Sequence, residues 1–305
     1  HGKPVGDEAA DGKTLFGVLA SGILGVTGYS MLKIAEDGAG GVTCKSISKI
    51  ERKGHPTPVV QVFNSGVINA VGLSSTGVER TTSELKILKD KSDAVVIASI
   101  FAGTVEEFGE TASMIDENIC DMIEVNISCP NVADEFGLPF ASDPKISGEI
   151  TRVAKNSTKL PVIIKLSPNY PNICEVAKSC EANGADGITA INTLGPGMLI
   201  DVHTYKPKLS NKKGGVSGPA IFPVALRIVY DLYKAIKIPI IGMGGVTEAE
   251  DAIQMIAAGA TLYGVGTGIL YKGTSIFKNI NAALDNYLAE KKMKYEELIG
   301  IAHRI

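Results

Sequence analysis

Paired cysteines are missing from this sequence. Its five cysteines, Cys44, Cys120, Cys129, Cys174 and Cys180, are an odd number and include no CxxC spacing. That excludes a disulfide framework and a zinc or iron–sulfur cage, and it points to a reducing, cytoplasmic setting. Histidine is scarce as well. The four, His1, His55, His203 and His303, are too dispersed to share a metal or to supply an obvious base. No apolar run reaches the roughly 20 residues that a membrane span needs. LFGVLASGILGV, the longest near the N-terminus, is broken by glycine, so neither a signal peptide nor an anchor is expected. Charge of one sign is lacking too: 30 basic residues stand against 33 acidic, the net charge is −3, and the basic residues are scattered, which makes nucleic acid a poor partner. There is no GxSxG nucleophile elbow and no GxGxxG followed by an acidic residue. With no low-complexity tract or Pro/Ser-rich linker to divide it, 1–305 reads as a single domain.

What remains is an α/β pattern rich in glycine, with 45% hydrophobic residues and 34 glycines. Three passages, LKIAEDGAGGVTCKS, EVAKSCEANGADGITAIN and DAIQMIAAGATLYGVGT, repeat one unit. Each reads as a helix closed by glycine, a tight loop and a buried parallel strand. Eight such strands are predicted, at 16–20, 41–45, 95–100, 122–127, 162–166, 187–191, 239–242 and 262–265. Eight strands alternating with helices favour a (β/α)8 TIM barrel, with an open doubly wound sheet as the alternative. Residues 58–77 are extra to that count and read as a hairpin and loop over one barrel mouth, while 132–145 and 195–218 read as long βα loops.

In a barrel, binding and catalytic groups gather at the C-terminal strand ends. The predicted ends carry Ser21, Lys45, Ser46, Ser99, the hexapeptide NISCPN (126–131), Lys165, Asn192 and Thr193. A buried ammonium needs a carboxylate, a ligand or a polar cofactor, so Lys45 and Lys165 each suit either an ion pair or an anionic ligand. Cys129, between Asn126 and Asn131, suits either a packed thiol or a group that moves protons. Gly244 and Gly245 follow the seventh strand, with Thr247 as the expected N-cap of the next helix. Gly266, Thr267 and Gly268 follow the eighth. Loops at these two places commonly hold phosphate in this fold, since glycine lets backbone N–H groups approach an anion. Ordinary turn glycines are the competing explanation.

NISCPN, KLSPN, INTLGPGM, GGVSGPAIFPVALRIV, PIIGMGGV and YGVGTG occur in an order that resembles the dihydroorotate dehydrogenases, from about Leu19 to about Leu270. A cysteine rather than a serine in NISCPN is similar to class 1 of that family, and GGVSGPA is similar to its NAD-linked 1B branch. The resemblance implies an FMN enzyme that oxidises dihydroorotate to orotate in pyrimidine synthesis. It implies Cys129 as the base for the C5 proton, Lys165 beside the N1/O2 edge of the flavin, and Lys45 near both flavin and substrate. Asn69, Gly72, Leu73, Asn126, Asn131, Asn192 and Thr193 would hold the substrate. Ala20, Ser21, Gly22, Ser46, Ser99, Asn126 and Ile191 would meet the flavin, and Gly218, Gly244, Gly245, Gly266 and Thr267 its ribityl and phosphate parts.

The chain departs from the family in two places. NAVGLSSTG (69–77) stands where NAIGLQNPG is usual, and Ser99 where asparagine is common. The 1B branch passes electrons to NAD through a separate FAD and iron–sulfur subunit. This chain has neither cluster spacing nor dinucleotide fingerprint, so such a partner is implied, together with a homodimeric core. The rival readings are a flavin-dependent dihydropyrimidine oxidoreductase, a fumarate-linked 1A enzyme and a flavin-free phosphate-binding barrel.

Overall fold

The computed structural model describes residues 16–127 and 140–304. In chain order the strands are β1 (Gly17–Leu19), β2 (Gly41–Thr43), β3 (Glu51–Arg52), β4 (Val60–Phe63), β5 (Gly66–Asn69), β6 (Ser75–Thr76), β7 (Val95–Ile100), β8 (Met122–Asn126), β9 (Val162–Lys165), β10 (Gly187–Ala190), β11 (Leu194–Gly197), β12 (Gly214–Ser217), β13 (Ile240–Met243) and β14 (Leu262–Val265). Eight of them form a closed parallel barrel in the order β1-β14-β13-β10-β9-β8-β7-β2, which rules out the open doubly wound sheet. Closure runs through β1 and β14, with Gly17 opposite Tyr263 and Leu19 opposite Val265. Nearly every barrel-strand residue is buried, as expected of strands covered on both faces, so their sequences are continuous apolar runs rather than alternating ones.

The helices that cover the barrel include α1 (Gly28–Glu36), α2 (Val78–Lys91), α3 (Val105–Ser113), α4 (Pro144–Asn156), α5 (Ile173–Ala182), α6 (Phe222–Ala235), α7 (Ala249–Ala257), α8 (Gly268–Lys272) and α9 (Ile276–Lys291). The three Gly-Ala repeats do what their sequence suggests. Gly38, Gly184 and Gly259 take φ of 99°, 96° and 120°, a region that costs glycine little. The next residue's N–H then reaches back into the helix: Ala39 to Ile34 O at 3.2 Å, Ala185 to Cys180 O at 3.1 Å, and Ala260 to Met255 O at 3.0 Å. Each of these is a Schellman-type closure that ends a helix and starts a strand within a few residues.

At the N-terminal end of the barrel, two aspartates cap β7 and β9, the strands on either side of β8. Asp121 accepts from Val96 N at 2.9 Å, and Asp186 from Val162 N at 2.7 Å. Lys89 and Lys155 pair with them at 2.7 and 2.6 Å.

Over the other mouth lies a sheet of order β11-β12-β5-β4. Its β4–β5 hairpin agrees with the expectation for 58–77, with Val60 opposite Asn69 and Phe63 opposite Gly66. Residues 195–218 are not simply a loop. Their two ends are the strands β11 and β12, and β12 pairs antiparallel with β5 (Gly215 opposite Asn69). At 132–145, the described part is already structured: Asp143 caps α4 by accepting from Lys145 N and Ile146 N, and Pro144 occupies the first turn, where its missing N–H costs nothing. The N-cap of α7 is Glu248 rather than Thr247, because Asp251 reaches back to both residues and shifts the cap by one position.

Candidate active site

Between the C-terminal strand ends and the small sheet lies a cavity of about 380 Å³, within the usual size of a small-molecule site. Its floor is made by the residues that follow the strands: Ala20 after β1, Lys45 and Ser46 after β2, Ile191 and Asn192 after β10. Asn126, Lys165 and Met243 close β8, β9 and β13 and complete it. Val60, Val67, Asn69 and Ser217 of the antiparallel sheet form the roof. Gly72 and Leu73, at φ of 75° and 52°, turn the chain at the rim after β5.

A continuous polar network runs under this floor. Asn126 Nδ2 donates to Ser46 Oγ at 3.2 Å, and Ser46 lies 2.8 Å from Ser99 Oγ and 3.4 Å from Ser21 Oγ. Ser99 Oγ donates to Glu124 Oε1 at 3.2 Å. On the other side, Asn192 Nδ2 donates to Asn126 Oδ1 at 3.3 Å, and Thr193 N donates to Asn192 Oδ1 at 2.7 Å. Six side chains from five barrel strands are therefore held by one another, which orients the amides that face the cavity.

Lys165 is only 4% exposed, yet it lines the cavity. Its Nζ lies 3.9 Å from Glu124 Oε2 and 2.8 Å from Met243 Sδ, a weak acceptor. Burial pushes the ammonium's pKa below its ordinary value, and the charge of Glu124 opposes that shift. The expected carboxylate is therefore present for Lys165. For Lys45 it is a main-chain carbonyl that appears: Nζ donates to Ser74 O at 3.2 Å, across to the loop leaving the roof.

The glycines of the far corner separate into two kinds. Gly218, Gly244 and Gly245 have φ of 94°, 127° and 83°, so the turn itself requires them. Gly266 has no such φ, and a Cβ there would meet only Ala20 Cβ, at 3.4 Å. Neither backbone nor packing asks for glycine at 266. What its absent side chain leaves open is cavity. Thr267 beside it donates to Ser217 Oγ at 2.8 Å, tying the roof to the loop after β14.

Of the described residues expected in the site, all but Ser99 line this cavity. Ser99 is wholly buried behind Ser46, because it belongs to the interior of β7 rather than to its end. Cys129 and Asn131 lie outside the described residues. Of the cysteines described, none lines the cavity. Burial raises the thiol pKa of Cys44 to about 12 and of Cys180 to about 11, which suits packing rather than proton transfer near neutrality. Sequence reasoning missed Glu124, Ser217 and Met243. Glu124 did carry a signal, as an acidic residue inside the apolar run MIEV, whereas Met243 reads as core and Ser217 as loop.

Fold and site together define a TIM barrel with a cavity at its C-terminal mouth, under a β-sheet roof and walled in part by a buried cation. The chain belongs to the dihydroorotate dehydrogenase family, whose model matches residues 14–288, more than the quoted motifs span. It is similar to the protein named dihydroorotate dehydrogenase B (NAD(+)), catalytic subunit, of Methanothermobacter thermautotrophicus, 41% identical over 94% of both chains. The proteins of the same name from Methanocaldococcus jannaschii and Thermoplasma volcanium are 40% and 42% identical, over 93% of each chain in both cases.

Proposed function

We propose that this chain is an NAD-linked dihydroorotate dehydrogenase catalytic subunit, which oxidises dihydroorotate to orotate in pyrimidine synthesis and uses FMN. Beyond its family membership, the observation that carries the reading is Lys165. A buried ammonium in the cavity wall, with a thioether at 2.8 Å and a carboxylate only at 3.9 Å, retains the capacity to serve an electron-rich ligand edge. The open space at Gly266 and the turn at Gly244 and Gly245 suit the cofactor's phosphate. FMN, when bound, supplies the acceptor for the hydride that leaves C6 of the substrate.

The protein's own residues do the rest. Lys165 offers a fixed positive charge to the ring edge where negative charge develops on reduction, a preorganised form of stabilisation. Asn69, Asn126, Asn131, Asn192 and Thr193 meet the pyrimidine. Amides suit it because its ring both donates and accepts hydrogen bonds, and the Asn126–Asn192–Thr193 contacts fix which way they face. Lys45, held by Ser74 O, brings a cation to the same cavity for an acidic substrate. Cys129 takes the C5 proton. Electrons leave to a separate subunit carrying FAD and an iron–sulfur cluster, and the complex works in the cytoplasm around a dimer of this chain.

The test is anaerobic. The purified protein should be yellow, and dihydroorotate should bleach it; NAD should then restore the colour only when the partner subunit is present. Colourless protein that takes up no FMN would sink the reading, and bleaching by dihydrouracil in place of dihydroorotate would assign the other substrate. Cys129→Ala should keep the flavin and slow bleaching by about 10²–10⁴-fold, the usual contribution of a general base. Bleaching at the native rate would make Cys129 a packing residue.

A further inference from the structure

Glu124 is 2% exposed, in the middle of β8. A carboxylate in such a place is costly unless it is charge-paired and hydrogen-bonded, and the barrel register supplies both partners. Ser99 on β7 stands directly opposite Glu124, and Lys165 on β9 stands opposite Asn126, two residues further along the same face of β8. Glu124 therefore has a hydroxyl on one side and an ammonium diagonally on the other.

Because a serine hydroxyl has one proton to give, the carboxylate sets the direction of the whole chain of hydroxyls. Ser99 donates to Glu124 at 3.2 Å, so Ser46 must donate to Ser99 at 2.8 Å, and Ser21 to Ser46 at 3.4 Å. Ser21 and Ser46 line the cavity. A single charge beneath the floor thus orients groups on its surface from two sides, through the hydroxyls and through Lys165.

We propose that Glu124 is a positioning residue for Lys165. It keeps the ammonium charged and aimed into the cavity, and so sets how strongly the site favours a reduced, negatively charged ring. The part concerning the ring rests on the FMN reading above; the part concerning Lys165 does not. Glu124 is the charge that counters the desolvation of Lys165. From the other strands packed on the ammonium, β10 brings Thr189 and β13 brings Met243, neither of them titratable. Cys44, at the end of β2, feels the charge of Glu124, but its pKa of about 12 keeps it a thiol over the working range.

Glu124→Gln removes the charge while preserving the shape and an oxygen for Ser99. In ligand-free protein, the side-chain NMR signal of Lys165, assigned by its loss in Lys165→Gln, should titrate about one unit or more lower in Glu124→Gln than in the native chain. Glu124→Asp, which keeps the charge, should fall between the two and serves if the glutamine variant folds poorly. An unmoved titration overturns the proposal. In flavin-loaded protein, the midpoint potential of Glu124→Gln should be higher than native wherever Lys165 stays protonated. The pH above which the potential drops should move down by the same interval seen by NMR. A change in flavin affinity with the native potential–pH profile intact would mean a merely structural residue and would overturn the ring part. Protein that binds no flavin ends the FMN reading, and the NMR titration still decides the role of Glu124.

Discussion

Gly245 and Gly266 look interchangeable in the sequence, since each is a glycine just after a late barrel strand, yet different things require them. At Gly245, φ is 83° and a Cβ would meet Phe222 Cβ at 2.7 Å, so alanine should cost stability whether or not anything is bound. At Gly266, the backbone is ordinary and the only neighbour of a Cβ is Ala20 at 3.4 Å. Gly266→Ala should therefore leave the melting midpoint of the ligand-free protein within about a degree of native, corresponding to no more than a few tenths of a kcal/mol. It should also weaken FMN, read by fluorescence titration, by at least about tenfold through a methyl placed in the cofactor's space. A stable variant with native FMN affinity would remove Gly266 from the phosphate corner. The sequence could mark both glycines as loop residues but could not say which one borders open cavity, because that depends on what surrounds an absent side chain.

At the scale of elements, legibility followed the strength of local rules. All eight barrel strands could be read because each is a short apolar run, and before β2, β10 and β14 the Gly-Ala closures at Gly38, Gly184 and Gly259 mark the start by a single backbone mechanism. The roof strands β11 and β12 could not be read. LGPG and GGVS have almost no intrinsic strand preference; β12 is a strand only because β5 offers it a ladder from a segment more than a hundred residues earlier, and β11 only because β12 pairs with it in turn. The cap of α7 was misplaced by one residue for a related reason. Thr247 is a good capping residue, but Asp251 accepts from Thr247 N at 2.8 Å, Thr247 Oγ1 at 2.9 Å and Glu248 N at 3.1 Å, so the side chain that organises the turn sits inside the helix. Asp251→Ala should accordingly cost about 1–2 kcal/mol in urea denaturation, as loss of a helix cap does. Because the same turn follows Gly244 and Gly245, FMN affinity should fall with it. A loss below about 0.3 kcal/mol would show that Thr247 can cap the helix unaided.

The molecule as a whole divides its polar investment between two ends. Aspartates at the N-terminal end, Asp121 and Asp186, satisfy strand N–H groups and pair with half-exposed lysines, an arrangement that serves the fold. At the C-terminal end, Lys165 and Glu124 are 4% and 2% exposed, and an ion pair as long as 3.9 Å should not repay the removal of both charges from water. The pair should therefore be a liability to the ligand-free barrel, and a double-mutant cycle can expose it. Lys165→Met alone leaves Glu124 a lone buried carboxylate and should destabilise by roughly 3–5 kcal/mol. Lys165→Met combined with Glu124→Gln removes both charges and should return the protein to native stability or up to about 4 kcal/mol beyond it, while flavin reduction is lost. The pH dependence gives the sign. Burial puts the folded-state pKa of Lys165 below 10.5, so its cost is fully present at lower pH, where the lysine is protonated in both states. Between the folded value and 10.5 the folded protein binds fewer protons than the unfolded one, and native stability recovers as pH rises. The double variant's advantage in urea should therefore be largest near neutrality and shrink toward pH 10. A double variant less stable than native at every pH would show instead that the pair holds the barrel together.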